Sequence, residues 1–323
     1  MRILHIQSGY QGIYPFIEEW IEEGSNNNDL EFISFPPIIK PMELKEKIQS
    51  QKPDLVLIMI ANKIPYTLIN TIIENRVPLV IWLTEDPFYM DVSRKVLPLA
   101  DTILTIDEGA AVFYQSLGYN NVYYFPLATN ERVFKPLDTE KEIDLLIVGY
   151  PYPNRIQLVE YLSNHTDYSL TLIGDKWNTL LKSKVKRWRN LELINRWLPP
   201  LEINSYYNKA KIIINAHREY HFKWNKNKNH IKNVSVNNRF FDIFSSGGFQ
   251  IINDSISPPN NFPNKTIFSY TNEEDCVRMI NKYIQSPSLI QEVATIGRSC
   301  TLQYHTFTKR MEDFQNFIKQ DSK

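Results

Sequence analysis

The chain has 323 residues, 43% of them apolar and 22% charged, so it is long enough for two domains with substantial cores. Its 36 basic side chains (Lys and Arg) balance 36 acidic ones, which argues against a nucleic-acid-binding protein and against general attraction to an anionic membrane. Cys276 and Cys300 are the only cysteines, a number that fits a reducing compartment better than a disulfide scaffold.

The amino-terminal residues MRILHIQSGY turn polar too early for the apolar region of a signal peptide. The most apolar run, DLVLIMIA at 54–61, is much shorter than the roughly 20 residues that span a membrane. We therefore expect a cytoplasmic protein without a transmembrane segment. Peripheral attachment to a membrane stays open.

Short β-rich runs alternate with amphipathic helical stretches through the first 130 residues, a pattern typical of parallel βαβ units. The predicted strands are Arg2–Gln7, Glu31–Phe35, Asp54–Ile60, Pro78–Leu83, Thr102–Thr105 and Asn121–Phe125. The predicted helices are Ile13–Glu23, Met42–Gln51, Tyr66–Glu74, Val92–Leu99 and Ala110–Leu117.

A second series of the same kind follows a candidate linker at 126–142, which has little periodicity and two prolines. Its predicted strands are Ile143–Val148, Ser169–Ile173, Leu191–Asn195, Lys211–Asn215 and Gly248–Asn253. Its predicted helices are Asn154–Ser163, one through FFDIF at 240–244, and three consecutive helices within 272–320.

The two series predict an α/β protein with two Rossmann-like, doubly wound domains at 1–130 and 140–300 that face each other across a cleft. In such sheets the ligands lie outside the carboxyl ends of the strands. The loops that follow strands are therefore the places where site residues are expected.

The first such loop is SGYQG at 8–12. Gly9 and Gly12 allow the backbone to approach a ligand, and the start of the following helix favours an anion. An ordinary tight turn explains the glycines equally well. The dinucleotide fingerprint G-x-G-x-x-G is absent, so nothing here indicates NAD or FAD.

Two adjacent acids, Glu85 and Asp86, end the apolar strand LVIWL, and Pro87 biases Asp86 towards an extended backbone. One interpretation is that they cap the next helix. The functional interpretation is a carboxylate that takes a proton from a hydroxyl group.

The first loop of the second series, VGYPYPNR at 148–155, has Gly149 at a sharp turn and Arg155 in the first turn of a helix. A cation at that end opposes the helix dipole unless an anion such as a diphosphate lies nearby. A later strand ends at Asn215 and is followed by His217, which is structural or catalytic with equal weight.

Two stretches are rich in basic residues. Residues 221–233 form either a solvated loop, which is the favoured interpretation, or a flap over phosphate, and 182–190 are interpreted as an exposed helix face. The sequence has no zinc-like His/Cys spacing, no P-loop and no G-x-S-x-G motif.

The stretch VNNRFFDIFSSGGFQIIND at 236–254 places three phenylalanines on one side of a helix. Asn238, Asp242 and Ser245 share the other side, and the helix runs into Gly247 and Gly248. The polar side faces either water or a ligand.

Taken in order, the segments WLTEDPF, PLATN, IDLLIVGYPYPNR, YYNKAKIIINAHR, NNRFFDIFSSGGFQIIND and HTFTKR resemble the CgeB-type family, the spore-maturation glycosyltransferase-like proteins of bacteria. The resemblance implies the two-domain GT-B fold, whose carboxy-terminal half binds a nucleotide sugar and whose amino-terminal half binds the acceptor. It also implies that a last helix, within 301–323, packs back on the amino-terminal domain.

By the same resemblance, Asp242 is expected to hydrogen-bond the ribose hydroxyls of the donor, a role that suits a carboxylate because it accepts two hydrogen bonds. The family more often has glutamate at this place. The retaining relatives carry a second glutamate where this chain has Val234, so the stereochemical course stays open.

The sequence thus predicts a glycosyltransferase that moves a sugar from a nucleoside-diphosphate sugar to a glycan or protein acceptor without a metal or another cofactor. Asp86, and after it Glu85, is the expected catalytic base. The residues expected to bind the nucleotide sugar are Asp242, Arg239, Asn238, Arg155, Gly149, Tyr150, Asn215, His217, Gly247, Gly248, Gly9 and Gly12. The alternatives are a nucleotide-sugar epimerase of the same fold and a non-catalytic spore-surface protein.

Overall fold

The computed structural model describes residues 1–26, 28–181 and 190–321. Within this part of the chain there are two compact units, each built on a six-stranded parallel sheet. The first unit comprises Met1–Leu127, Lys223–Ser235 and Phe307–Lys323, and the second comprises Ala128–Phe222 and Val236–Thr306. The predicted α/β class with two doubly wound sheets is confirmed.

The sheet of the first unit has the strand order β2-β1-β3-β4-β5-β6. The strands are β1 (Arg2–Ile6), β2 (Glu31–Phe35), β3 (Leu55–Met59), β4 (Leu79–Leu83), β5 (Thr102–Thr105) and β6 (Val122–Tyr124). The helices are α1 (Tyr14–Asn26), α2 (Pro41–Gln51), α3 (Tyr66–Glu74), α4 (Met90–Ser93), α5 (Glu108–Ser116) and α12 (Phe307–Asp321). The central strands β3 and β4 are buried along their whole length, as expected for a parallel sheet covered on both faces.

The sheet of the second unit has the strand order β12-β11-β10-β7-β8-β9. The strands are β7 (Ile143–Val148), β8 (Leu170–Ile173), β9 (Leu191–Ile194), β10 (Ala210–Asn215), β11 (Gln250–Asn253) and β12 (Ser269–Tyr270). The helices are α6 (Pro153–His165), α7 (Trp177–Leu181), α8 (Pro200–Lys209), α9 (Asn238–Ser245), α10 (Glu273–Tyr283) and α11 (Pro287–Tyr304). The three phenylalanines of α9 are buried against Phe262 in the core of this unit.

One predicted helix, Val92–Leu99, is wrong in extent. The structure has the four-residue helix α4 and then a separate 3₁₀ turn at Leu97–Leu99. Pro98 explains the break, because proline has no N–H to continue the helical hydrogen bonds and its ring clashes with the preceding turn. The basic stretch predicted as an exposed helix face lies, except for Asn190, outside the described residues.

Each sheet has one place where successive connections leave towards opposite sides. In the first unit this switch point lies between β1 and β3, and in the second between β7 and β10. Open α/β sheets bind their ligands in the crevice outside the carboxyl ends of the strands at such a point. Among the described residues no helix is both long and apolar enough to cross a membrane.

Candidate functional site

The switch point of the second unit brings together the side chains of two arginines, Arg155 of α6 and Arg239 of α9. A Cβ atom added to Gly149 would lie 2.7 Å from Nη1 of Arg155 and 3.4 Å from Nη1 of Arg239, so both guanidinium groups border this glycine. Gly149 itself has φ +126°, a conformation that side chains other than glycine rarely adopt. The predicted turn and both predicted cations therefore meet at one place.

The guanidinium of Arg155 is buried, with 2% of the residue exposed, and it ties two loops together. Its Nη1 donates to the Tyr150 carbonyl at 2.7 Å, and its Nε and Nη2 donate to the Ala216 carbonyl at 2.8 and 2.6 Å. Burial and the neighbouring Arg239 lower the pKa of Arg155 to about 9. Arg155 therefore joins the loops after β7 and β10, and its guanidinium places a buried positive charge next to both of them.

Arg239 is half-buried, and within the described part of the chain its guanidinium has neither an ion pair nor a hydrogen bond. Two neighbouring cations that form no ion pair repel each other, and this repulsion is relieved when an anion binds. The electrostatics of the switch point thus favour a negatively charged ligand.

His217, which follows β10, is buried and has hydrogen-bond partners at both ring nitrogens. Nδ1 lies 3.0 Å from the Asn215 carbonyl, and Nε2 accepts a hydrogen bond from the Asn237 backbone N–H at 3.0 Å. Burial and the charges of Arg239 and Arg155 lower the pKa of His217 to about 3. A neutral imidazole with both nitrogens occupied does not exchange protons with a substrate, so its geometry supports a structural role.

The start of α9 is fixed by an amide network. Asn237 is the N-cap, and its side-chain oxygen accepts from the Phe240 backbone N–H at 3.2 Å. The Asn215 side-chain amide exchanges hydrogen bonds with that of Asn237 and donates to Gln250 at 3.0 Å. Asn215 and His217 therefore hold the segment that presents Arg239.

Asp242 lies one helical turn after Asn238 and is buried, with 5% exposed. Its Oδ1 accepts from the Thr129 hydroxyl at 2.8 Å, and its Oδ2 accepts from the Asn238 amide at 3.0 Å. Burial raises the pKa of Asp242 to about 8, although Thr129, Arg239 and Asn238 act in the opposite direction. Burial therefore favours the protonated form of this carboxyl group.

The polar side of α9 is covered by protein along most of its length. Ser245 donates to the Phe134 carbonyl at 2.6 Å, and Ser246 donates to Asn204 of α8 at 2.7 Å. Thr129 and Phe134 belong to the segment between β6 and β7, so this segment lies against the polar side of α9. This side faces neither bulk water nor an open ligand site, except at its first turn.

Gly247 and Gly248 do not lie with Arg155, Arg239 and Gly149 at the switch point. They end α9 at the amino end of β11, with the Gly247 N–H donating to Phe244 and the Gly248 N–H donating to Ile243, each at 2.9 Å. This pair of hydrogen bonds with φ +72° at Gly247 is a Schellman motif, which closes a helix.

In the first unit, the two predicted acids differ in environment. Asp86 is buried, with 1% exposed, and accepts hydrogen bonds from Ser93 at 2.6 Å and from Tyr114 at 2.8 Å. Burial raises the pKa of Asp86 to about 7. Glu85 is partly exposed and accepts a hydrogen bond from the Tyr14 hydroxyl of α1.

Gly9 and Gly12 lie in the loop after β1, at the switch point of the first unit, with φ +69° and +74°. Tyr10 between them contacts the loop after β3, where Asn62 and Lys63 lie. These two residues and the role of Thr129 were not predicted, because contacts between loops far apart in the chain leave no mark in local periodicity.

Within the described residues no group of three or more His, Cys, Asp and Glu side chains is arranged to hold a metal ion. A family model described as glycosyl transferase-like matches residues 155–316. Spore protein CgeB of Bacillus subtilis (strain 168) is 41% identical over 310 residues, which cover 95% of this chain and 95% of that protein.

The chain belongs to the glycosyl transferase-like family. The resemblance to CgeB-type proteins is thereby confirmed, and the matched region begins at Arg155 and includes α9.

Solved structures agree on the fold. Alr3699/HepE of Anabaena in complex with UDP-glucose has a TM-score of 0.71 at 10% identity, covering 99% of this chain and 100% of that chain. An alpha-glucosyltransferase (AGT) in complex with UDP has a TM-score of 0.70 at 10% identity, with 100% of both chains covered. At such low identity these structures support the GT-B fold alone.

Proposed function

We propose that this member of the glycosyl transferase-like family transfers a sugar from a nucleoside-diphosphate sugar to a hydroxyl-bearing acceptor. The observation that carries the proposal is the pair Arg155 and Arg239, two adjacent cations that form no ion pair with a carboxylate among the described residues, at the switch point of the second sheet. A diphosphate matches this site in charge, and it is the part of the nucleoside-diphosphate leaving group on which charge develops in the proposed reaction.

The second unit supplies the donor side. Arg239 and the backbone at Gly149 contact the diphosphate. Arg155 holds the Tyr150 loop and contributes a second positive charge from its buried position. Fixed cations and N–H groups aimed at the leaving group stabilise the charge that develops on it, which is usually the largest electrostatic contribution to such catalysis. We therefore propose that the reaction proceeds without a metal ion, and activity that persists in excess EDTA is the expected result.

The predicted ribose contact of Asp242 stays a proposal. Its two oxygens accept hydrogen bonds from Thr129 and Asn238, so a ribose hydroxyl would replace one of these donors. Asn238, in the first turn of α9, is the partner nearer to the start of the helix and to Arg239. We expect the donor hydroxyls to meet Asn238 and Asp242 together.

For the acceptor side we propose Glu85 as the base, ahead of Asp86. A pKa of about 7 would suit Asp86 as a general base, but its burial and its two hydroxyl donors keep it from a substrate. Glu85 is partly exposed at the carboxyl end of β4, and Tyr14 orients its carboxylate. The greater accessibility of Glu85 supports its choice in this proposal.

The first experiment measures thermal stabilisation by UDP, GDP, CDP, ADP and TDP. UDP is the first choice because the structurally similar HepE and AGT were solved with UDP-glucose and UDP. A nucleotide at 100 times its dissociation constant should add about 2.7 kcal/mol to the free energy of unfolding. If none of the five stabilises the protein, the proposal fails.

The matched variants are Arg239→Gln and, as a control, Arg278→Gln, an exposed arginine of the same unit paired with Asp275. Loss of one charge-assisted hydrogen bond, worth about 1.5–3 kcal/mol, should weaken nucleotide binding roughly 10- to 150-fold in Arg239→Gln only. Equal affinities in both variants would show that Arg239 does not meet the nucleotide.

Turnover distinguishes the remaining possibilities. Consumption of the donor that depends on an added hydroxyl acceptor supports transfer. Consumption without any acceptor supports an epimerase or a hydrolase, and binding without consumption supports a non-catalytic protein.

We further propose a cytoplasmic location, which the two free, buried thiols of Cys276 and Cys300 support.

A further inference from the structure

The turn after β3 in the first unit has an unusual backbone. Ile60 and Ala61 both have positive φ, +68° and +62°, although neither is glycine and Ile60 is β-branched. Such a pair is rare, and sterically unfavourable backbone of this kind is concentrated at functional sites. Here the turn is held by the Ile60 N–H, which donates to the Trp82 carbonyl at 2.9 Å, and by the Ala61 N–H, which donates to the Met59 carbonyl at 2.8 Å.

This turn directs two polar side chains onto the loop after β1. The amide of Asn62 lies against the Tyr10 hydroxyl, with Oδ1 at 2.9 Å and Nδ2 at 2.7 Å. The ammonium of Lys63 donates to the Gly9 carbonyl at 3.1 Å and lies 3.6 Å from the centroid of the Tyr10 ring, a close cation–π contact. The loops after β1 and β3 are thus joined at the switch point of this sheet, where a ligand is expected.

The charge of Lys63 is available to a ligand. Lys63 and Asn62 are exposed, and the contacts of the Lys63 ammonium with the described residues are a carbonyl oxygen and an aromatic ring, not a carboxylate. The Tyr10 ring also contacts the Tyr14 ring, with the two centroids 5.3 Å apart, and the Tyr14 hydroxyl donates to Glu85. The aromatic pair therefore connects a cation, which contacts Tyr10, with a carboxylate, which accepts from Tyr14.

We propose that Tyr10, Asn62 and Lys63 form an acceptor subsite that selects a saccharide bearing a negatively charged group, a carboxylate or a phosphate. Lys63 pairs with that group, the Asn62 amide hydrogen-bonds ring hydroxyls, and the accepting hydroxyl lies towards Glu85. This inference rests on the proposed transfer reaction, because it identifies the class of acceptor that the first unit takes.

The test compares ligands that differ only in charge. Methyl β-D-glucuronide is compared with methyl β-D-glucoside for the carboxylate, and glucose 6-phosphate with glucose for the phosphate. Binding to the full chain is followed by ligand-observed NMR at low salt, with UDP present. We expect one charged ligand, or both, to bind about 1.4- to fivefold more tightly than its neutral match, the range for an exposed ion pair, with the difference shrinking at high salt.

The variants are Lys63→Gln and Lys63→Arg, with Lys45→Gln on the exposed side of α2 as the control in the same unit. Lys63→Gln should abolish the preference for the charged ligand, while Lys63→Arg and Lys45→Gln should keep it. Equal binding of charged and neutral ligands, absence of binding by all four, or a preference that survives Lys63→Gln would overturn the inference.

The outcome for the nucleotide is independent of this result. Each variant is also tested for stabilisation by UDP, which the second unit is proposed to bind, and Lys63→Gln should leave that stabilisation unchanged. If UDP stabilises the protein but no charge preference is found, the acceptor inference fails while the proposed function stands. If UDP does not stabilise the protein, the choice of nucleotide fails, whatever the saccharide result.

Discussion

Asp242 shows how one buried carboxyl group makes stability depend on pH. Because its pKa is about 8 in the folded chain against an ordinary 3.8, the folded state holds its proton more tightly than the unfolded state. The resulting stability is fully present below about pH 4 and is lost progressively as the pH rises through about 8.

The variant Asp242→Asn removes this titration while keeping one acceptor for Asn238 and one donor towards Thr129. The melting temperature of the variant minus that of the wild type should therefore increase from pH 5 to pH 9. Asp254→Asn, at an exposed position of the same unit, is the control and should show no such trend. A difference that stays constant across this range would contradict the buried, protonated state of Asp242.

The two acids after β4 should separate activity from stability. Glu85→Gln is expected to lower turnover by about 10²–10⁴-fold, the usual contribution of a general base, with nucleotide affinity and melting temperature nearly unchanged. Asp86→Asn is expected instead to destabilise the fold by about 1–3 kcal/mol, because two buried hydroxyl donors lose an ionisable acceptor. Turnover and melting temperature are measured for both variants. Loss of turnover in Asp86→Asn with full activity in Glu85→Gln would instead identify Asp86 as the base.

At the residue scale, the sequence located polar groups at strand ends but could not show which of them are accessible. Whether Asp86 is accessible depends on Tyr114, 28 residues later in the chain, and both nitrogens of His217 are occupied only once α9 has packed. The local sequence indicates where a side chain lies along its strand. Its burial and its hydrogen-bond partners depend on residues far away in the chain.

At the scale of single elements, prediction worked best where burial imposes a simple pattern. Strands such as LVLIM (β3) and LVIWL (β4) are buried throughout, so continuous apolar runs between turn residues located them. The helix α8 went unpredicted because Pro199 and Pro200 suggest a loop, although proline is well tolerated in the first helical turn.

The contact between α9 and α11 gives a sharp element-scale prediction. A Cβ atom on Gly297 of α11 would lie 2.3 Å from Cδ1 of Phe244, so the two helices approach as closely as glycine allows. Gly297→Ala should cost at least about 1–3 kcal/mol from overpacking, a fall of several degrees in melting temperature. Ser299→Ala, on the exposed side of the same helix, should change it little, and an equally stable Gly297→Ala protein would mean that the helices can separate at small cost.

At the scale of the whole molecule, neither unit is one continuous stretch of chain. Residues 223–235 belong to the first unit, although the chain before and after them belongs to the second. The last helix, α12, also belongs to the first unit and directly follows a segment of the second. Asp107, the N-cap of α5, accepts hydrogen bonds from the backbone N–H groups of Val234 and Ser235 at 2.9 and 3.0 Å. Composition could suggest a basic loop here, but it could not indicate the unit to which that loop belongs.

The first unit should consequently depend on the last helix. Phe307, Met311 and Phe314 of α12 are each at most 2% exposed, and Phe307 packs beside Trp20 of α1 with ring centroids 5.7 Å apart. Burying three such side chains stabilises a fold by about 1.5–3 kcal/mol each, a sum comparable with the 5–15 kcal/mol that holds a typical domain together.

A chain truncated after Thr306 should therefore lose the first unit while the second, whose core residues all precede that point, stays folded. Hydrogen exchange measures this directly: amides of β3 and β4 should exchange rapidly, whereas those of β7 and β10 should stay protected and gain protection on binding UDP. A truncation after Ile318, which keeps all three buried side chains, is the control and should behave like the full chain. If β3 and β4 are equally protected in the two truncated proteins, then α12 only covers the first unit and does not hold it together.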